Sequence, residues 1–349
     1  MMLIRMPLPR NRAAKFCAGL CLLLPLMGWV LVACGDSATG TDDSADGEVS
    51  YNAVLVVIDG ARYTETFGDS THRYIPHMWD DLKPQGLVFD HFRNEGETKT
   101  NPGMTSLATG TWQHVANDGS ERPTMPTFFE YFRKALAAPE SLLLVVAGKS
   151  KLNICSYSTH VEYGAPFGAR EHVDFPSDVA TYEGLKSDLT TGHPRLVVVN
   201  LSEVDWDGHT GIWSEYTDAI QTADSLVWEL WRFLQSDPFY AGKTYLFITN
   251  DHGRHDDAHG GFKNHGDDCE GCRHIMLLAM GPGMRRNWVM TTPYSQIDIC
   301  PTFGSLVGFD TPYCEGQVIS GMLMARKSSS EADIHQEQPQ PEGAKPFSP

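Results

Sequence analysis

The chain has 349 residues, 41% hydrophobic and 20% charged, with a formal net charge of −17. That is enough for a sizeable core, in one large domain or two small ones. The acidic balance argues against nucleic acid as a stable partner, since backbone binding needs clustered Lys and Arg. Any anion site must carry its own positive charge, which bound metal ions would supply.

At the N-terminus, Arg5, Arg10, Arg12 and Lys15 form a basic stretch without Asp or Glu, followed by an apolar run from Phe16 to Ala33. The run closes on Leu31-Val32-Ala33-Cys34, which resembles a bacterial lipoprotein signal. Residues 1–33 are therefore expected to be a signal peptide. Cys34 would be the lipidated residue, and the protein would be exported and tethered to a bacterial membrane on its periplasmic or cell-surface side. A single transmembrane anchor of similar length is the competing reading. Residues 34–50 are small and acidic and read as a flexible tether. The segment 326–349, rich in Ser, Gln, Glu and Pro, reads as a disordered tail. This leaves a domain over residues 51–325.

Within it, continuous apolar runs alternate with helix-like stretches. Ala53–Ile58, Leu142–Ala147, Leu196–Leu201, Tyr245–Thr249 and Ile275–Met280 read as strands buried on both faces, the pattern of a mainly parallel sheet. Thr127–Ala137, Ser214–Gln235 and Gln296–Val307 read as amphipathic helices between them. The expected class is α/β, with a mainly parallel central sheet and helices on both faces. Ligands of such sheets gather beyond the carboxyl ends of the strands. Five cysteines fall in the domain: Cys155, Cys269, Cys272, Cys300 and Cys314. Cys269-Glu270-Gly271-Cys272 reads as a local disulfide, because a zinc knuckle would need a second C-x-x-C that the sequence lacks.

Several chemistry-bearing residues fall just beyond those strands. Asp59 (VVIDGAR) ends the first run, where a cavity carboxylate competes with an ordinary turn or cap Asp. Asp205 and His209 (EVDWDGH) stand four apart, so both can reach one ion, with Asp207 as the second-ranked ligand. Asp251 and His252 (TNDHG) are adjacent, and both point inward only if the backbone turns sharply, which Gly253 permits. His265 (NHGDD) competes with His255, His259 and His274. Thr100 precedes Asn101-Pro102, so it lies at the positive start of a helix running from about Pro102 through Ala108. It is either a helix cap or an oxyanion-side hydroxyl, with Thr98 and Thr105 as rivals.

In this order, IDGAR, TNPGMTSLATG, EVDWDGH, TNDHG and NHGDD resemble the metal and nucleophile segments of the alkaline phosphatase superfamily. The type I phosphodiesterase/nucleotide pyrophosphatase branch is closest in pattern, and the resemblance spans about residues 53 to 320. It implies that Asp59, Asp251, His252 and Thr100 hold one metal and that Asp205, His209 and His265 hold the other. Thr100 would be the nucleophile, forming a phospho-threonine intermediate on a small-molecule phosphate ester. Asn117, in HVANDGS, matches by order the branch's substrate-binding Asn, with Asn101 as its competitor. The His/Asp donors suit two Zn²⁺ ions best, with Mn²⁺ or Fe as alternatives. A sulfatase would need Cys or Ser in C/S-x-P-x-R, whereas Thr100-Asn101-Pro102-Gly103-Met104 lacks the Arg. A monoesterase would need an extra cation near the phosphate, and Arg62, Lys149, Lys151, Arg254 and Lys263 are available. A non-enzymatic alternative is a metal-binding surface lipoprotein that has lost its chemistry.

Overall fold

The computed structural model describes residues 50–324. Cys34, the signal segment, most of the tether and the tail at 326–349 lie outside them. Among the described residues no helix is long and apolar enough to cross a membrane.

The strands are β1 (52–58), β2 (87–89), β3 (92–93), β4 (143–147), β5 (170–173), β6 (196–201), β7 (244–249), β8 (274–275), β9 (277–280), β10 (288–290) and β11 (294–295). The α-helices are α1 (100–109), α2 (128–136), α3 (178–192), α4 (203–210), α5 (213–236), α6 (270–273) and α7 (299–307). Eight strands form one sheet in the order β10-β2-β9-β7-β1-β6-β4-β5, and β11-β3-β8 form a small second sheet.

The central strands are almost wholly apolar because each feeds two cores. On β1, Ala53, Leu55 and Val57 enter the core built with Phe128, Phe129 and Phe132 of α2 and Phe303 of α7. Val54, Val56 and Ile58 enter the other, with Tyr182 and Leu185 of α3 and Ile220, Val227 and Leu234 of α5. Alternate side chains point to opposite faces of a strand, so a strand buried on both sides shows no polar alternation. The α/β sandwich expected from sequence is thus observed.

Two elements differ from expectation. The run Ile275–Met280 is two short strands, not one, and β9 pairs antiparallel with both β7 and β2. The break falls at Met276, whose N–H goes to Asn250 Oδ1 and whose carbonyl accepts from the Thr249 hydroxyl, at 3.1 and 2.7 Å. With those groups engaged by side chains, the ladder cannot run through Met276. The helix expected to start near Pro102 starts at Thr100, with Lys99 in the N-cap position. Thr100 is therefore the first residue of the helix and not its cap.

Helix α2 starts where expected, and for a local reason. Thr127 and Glu130 form a reciprocal capping box. The Glu130 carboxylate, fully buried, also accepts from Ser158 N, Ser158 Oγ and Gly164 N at 3.0, 2.7 and 2.6 Å. One buried carboxylate thus ties the helix start to the loop that runs toward β5.

Candidate metal centre

Four neighbouring strands deliver the site. In the sheet order β7-β1-β6-β4 they lead at their carboxyl ends to Asp251-His252, Asp59, α4 with Asp205 and His209, and Lys149. A parallel sheet aligns those ends on one edge, so residues far apart in sequence meet without long excursions of chain. Helix α1 brings Thr100 over the same edge, with Gly103 against the backbone of Asp251. A Cβ at Gly103 would stand 2.4 Å from the Asp251 carbonyl oxygen.

The first cluster is Asp59, Asp251 and His252, all with no exposed surface. His252 Nε2 lies 3.6 Å from Asp59 Oδ1 and 3.5 Å from Asp251 Oδ2. Its Nδ1 donates to the Gly253 carbonyl at 2.8 Å, which leaves the Nε2 lone pair facing the carboxylates. Asp59 Oδ1 and Asp251 Oδ2 are buried without a hydrogen-bond partner. Three lone-pair atoms turned toward one another in a buried pocket repel unless a cation or a proton lies among them. The donor set fits a divalent ion. Thr100 Oγ1 stands 3.5 Å from His252 Nε2, at the cluster's edge.

The second cluster is Asp205, His209 and His265. Asp205 Oδ1 is 3.3 Å from His209 Nε2 and 3.3 Å from His265 Nε2, and the two imidazole nitrogens are 3.2 Å apart. Asp205 and His209 are one helical turn apart on α4, so the four-residue spacing stacks them on one face. His265 Nδ1 donates to Thr98 O at 2.9 Å, again freeing Nε2. The clusters adjoin, because the His252 and His265 rings stack with centroids 3.9 Å apart. His209 is the exposed member, with 44% of its side chain open.

Lys149 joins the clusters. Its Nζ lies 2.8 Å from Asp59 Oδ2 and 2.7 Å from Asp205 Oδ2, so it takes the outer oxygen of each carboxylate and leaves Oδ1 of each facing its cluster. Thr100 Oγ1 is 3.5 Å from the same ammonium. Burial opposes the charge on Lys149, but Asp59, Asp205 and Asp251 outweigh it and hold the group protonated well above its ordinary value. Burial also pushes the Asp251 carboxyl well above the usual range, aided by the negative charge of Asp59. Burial lowers His252 to about 4, so its imidazole is neutral at pH 7. On Asp205 burial works upward, yet His209, His265 and Lys149 hold it well below the usual range.

A cleft of about 450 Å³ opens over these groups, lined by Thr100, Asn117, Lys149, Lys151, Asp205, Trp206, His209 and His265 among others. Asn117 reaches it, and its Oδ1 accepts the Asn101 N–H at 2.9 Å, so its amide donors remain available. Asn101 is fully buried and lies outside the cleft. Of the five available cations, Lys149 and Lys151 line the cleft. Arg254 backs Asp205 at 2.6 Å, and Arg62 is paired with Glu65 at 2.6 Å. Lys263 packs against Gly211. The rival hydroxyls stay out, since Thr98 bonds the Asp267 carbonyl and Thr105 is buried inside α1.

The seven metal-ligand candidates thus converge. Sequence reasoning could not place Lys149, although its position two residues after β4 was a signal, because the other ligands also follow strand ends. Gly253 has a different role from the expected one. It is absent from the left-handed residues, and its missing side chain instead admits the Gly271 carbonyl, which would lie 2.0 Å from a Cβ there.

Known proteins share this fold. Residues 170–290 match the Metalloenzyme superfamily. The 2,3-bisphosphoglycerate-independent phosphoglycerate mutase of Legionella pneumophila is 25% identical over 243 residues, covering 58% of this chain and 45% of that enzyme. The chain thus spans less than half the length of that curated relative. A 2-O GAG sulfatase superposes with a TM-score of 0.58 at 14% identity, covering 76% of this chain and 72% of that one. A protein in the alkaline phosphatase superfamily from Vibrio parahaemolyticus gives 0.56 at 14% identity, covering 75% and 67%. The chain has the fold of the alkaline phosphatase superfamily and carries the Metalloenzyme superfamily match over residues 170–290.

Proposed function

We propose that the chain is an exported two-metal hydrolase of phosphate esters, of the phosphodiesterase type, with Thr100 as nucleophile. The observation that carries this reading is the pair of unpartnered buried oxygens, Asp59 Oδ1 and Asp251 Oδ2, turned toward His252 Nε2 beside the Thr100 hydroxyl. Asp59, Asp251, His252 and Thr100 hold one cation, and Asp205, His209 and His265 the other. Two such ions, zinc by the nitrogen and oxygen donors, supply Lewis acidity and positive charge at the phosphate.

The chain's own groups set up the displacement. Helix α1 fixes Thr100 at the cleft floor, and the Lys149 ammonium favours negative charge on its oxygen. The Thr100 Oγ1–phosphorus bond forms as the bond to the leaving oxygen breaks, and water then cleaves the phospho-threonine. Asn117 offers its amide N–H groups to a phosphate oxygen. Lys149 is engaged by two carboxylates, and Lys151 Nζ is held by both oxygens of Asn117, at 2.9 and 3.1 Å, and keeps its charge. Among the described residues no other Lys or Arg lines the cleft, which supports a singly charged diester over a dianionic monoester. The sulfatase reading lacks its nucleophile segment.

The test compares aryl phosphodiester, phosphomonoester and sulfate ester turnover by the zinc-loaded protein. The expected result is diester preference, retained in part by Thr100→Ser and reduced on the order of 10⁴-fold or more in Thr100→Ala. Equal turnover by Thr100→Ala would sink the assignment, and metal binding without turnover would favour the lipoprotein alternative. We also propose lipid anchoring at Cys34. Wild type should then fractionate with membranes and Cys34→Ser should not.

A further inference from the structure

We propose a third metal site, structural and zinc-selective, built from His255, Asp267, Cys269 and Cys272. None of the four belongs to the seven candidate ligands described above, so the inference stands apart from the proposed reaction. The ligand atoms of His255, Asp267 and Cys272 all lie within 4.8 Å of one another. Those of Asp256, His259 and Cys269 form a second such group. The two groups are joined by the single turn Cys269-Glu270-Gly271-Cys272, in which Cys272 N and Arg273 N both donate to Cys269 O at 3.1 Å.

The backbone is arranged to hold these groups together. Gly253 N donates to Cys272 O at 2.8 Å, and His255 N to Asn264 O at 2.8 Å. A Cβ at Gly271 would stand 2.5 Å from the Arg254 carbonyl oxygen and 2.6 Å from Asp256 N. Glycines at 253 and 271 therefore let the His255 segment lie directly on the C-x-x-C turn. Asp267 Oδ1 accepts Cys269 N at 3.0 Å, which turns Oδ2 toward His255 Nε2 at 3.3 Å. That nitrogen is buried and makes no hydrogen bond. Cys269 and Cys272 are 8% and 0% exposed.

A Cys269–Cys272 disulfide, the expectation from sequence, would consume both thiols. It would leave the buried His255 nitrogen, beside Asp267 Oδ2, without a ligand or hydrogen-bond role. His255, Asp267 and Cys272 are already grouped, and Cys269, one turn away, would supply the fourth donor, giving the borderline-soft mixture that zinc favours. Binding releases the two thiol protons and leaves His255 neutral. The second C-x-x-C that a knuckle would need is replaced by residues from two loops, which sequence spacing could not reveal. The position explains the use of the site. His265 lies two residues before Asp267, and His252 three before His255, so the clamp fixes loops that feed both candidate catalytic clusters. Thr98 Oγ1 donates to the Asp267 carbonyl at 2.7 Å, which extends the clamp toward the segment carrying Thr100.

The test uses the full chain, purified without chelator and exchanged into cobalt(II). The seven candidate catalytic ligands include no sulfur, so thiolate-to-cobalt charge-transfer absorption that depends on Cys269 and Cys272 reports the third site, apart from the Cys300 and Cys314 thiols 3.2 Å from one another. The expected result is that absorption in wild type, its loss in Cys269→Ser/Cys272→Ser, and zinc retention against chelator weakened ~10-fold or more in His255→Ala. Absence of the band in wild type overturns the proposal, and so does its survival in the double variant. Detection of a Cys269–Cys272 disulfide by mass spectrometry of the alkylated, unreduced wild type also overturns it. The wild-type spectrum decides the matter even if a variant fails to fold, and no outcome depends on hydrolytic activity.

Discussion

Substituting Lys149 by Met tests the electrostatic plan of the site. Lys149 Nζ lies 2.8 and 2.7 Å from carboxylates whose side chains are 0% and 6% exposed. Without the ammonium, and without metal, buried Asp59 loses its counter-charge, whereas Asp205 keeps Arg254 at 2.6 Å. Leaving a buried charge without its partner costs about 3–5 kcal/mol. Protonating one carboxylate at pH 7, roughly three units above its ordinary value, costs about 4 kcal/mol, so neither route of relief is cheaper. Urea unfolding in chelator at pH 7 should therefore show a loss of about 3–5 kcal/mol relative to wild type. At pH 5 protonation is easier, and the loss should shrink to about 1–2 kcal/mol. Saturating zinc restores positive charge through the Oδ1 atoms and should shrink it to about 1 kcal/mol. Equal losses with and without metal, or no loss in chelator, would refute the view that Lys149 and the metals neutralise the same carboxylates from opposite sides.

Glu130→Ala leaves the buried donors of Thr127, Ser158 and Gly164 without their acceptor, and should cost about 3–5 kcal/mol by urea unfolding. Glu130→Gln, which keeps an acceptor, should cost less, and equal costs would contradict the reading. Gly103→Ala forces a Cβ against the Asp251 carbonyl at 2.4 Å and should destabilise by about 1–3 kcal/mol, with a further fall in ester turnover because Thr100 moves with α1. Unchanged turnover would detach the helix position from the chemistry. Burial raises the Asp224 carboxyl, which accepts from the backbone N–H groups of His77 and Met78, from 3.8 to about 6. The folded state then binds this proton more tightly, so the group's contribution is full below about pH 4 and is lost as pH rises through about 6. Wild type should lose up to about 3 kcal/mol relative to Asp224→Asn between pH 4 and 7, and a flat difference would remove Asp224 from the pH dependence.

The central strands were legible because burial on both faces leaves an unbroken apolar signature, and β1, β4, β6 and β7 lie where the runs predict. The three-residue strands β2 and β10 are too short to show a period, and the break at Met276 depends on side chains distant in sequence. Helix α3 carries a weak apolar face and went unread, while α2 announced itself through Thr127 and Glu130. Asp59, Asp205, His209, Asp251 and His252 were legible as candidate ligands because each stands at or shortly after a strand or on one helical face, whereas His265 lies in a loop. Lys149 was named but could not be placed, since its partners Asp59 and Asp205 come from other strands. The role proposed for the cysteine turn was illegible for the same reason, because His255 lies in another loop.

The unequal cover of the two clusters gives the site an inside and an outside. His252, Asp59 and Asp251 are sealed, while His209 leaves 44% of its side chain in solvent. On the proposed two-metal reading, an ion held by His209 would be open to a competing chelator from the cleft, whereas one among Asp59, Asp251 and His252 would lie behind Thr100, which lines that cleft. Metal loss from the loaded protein should therefore be biphasic, with the outer ion exchanging first and the inner one setting how long the loaded state lasts in a metal-poor medium.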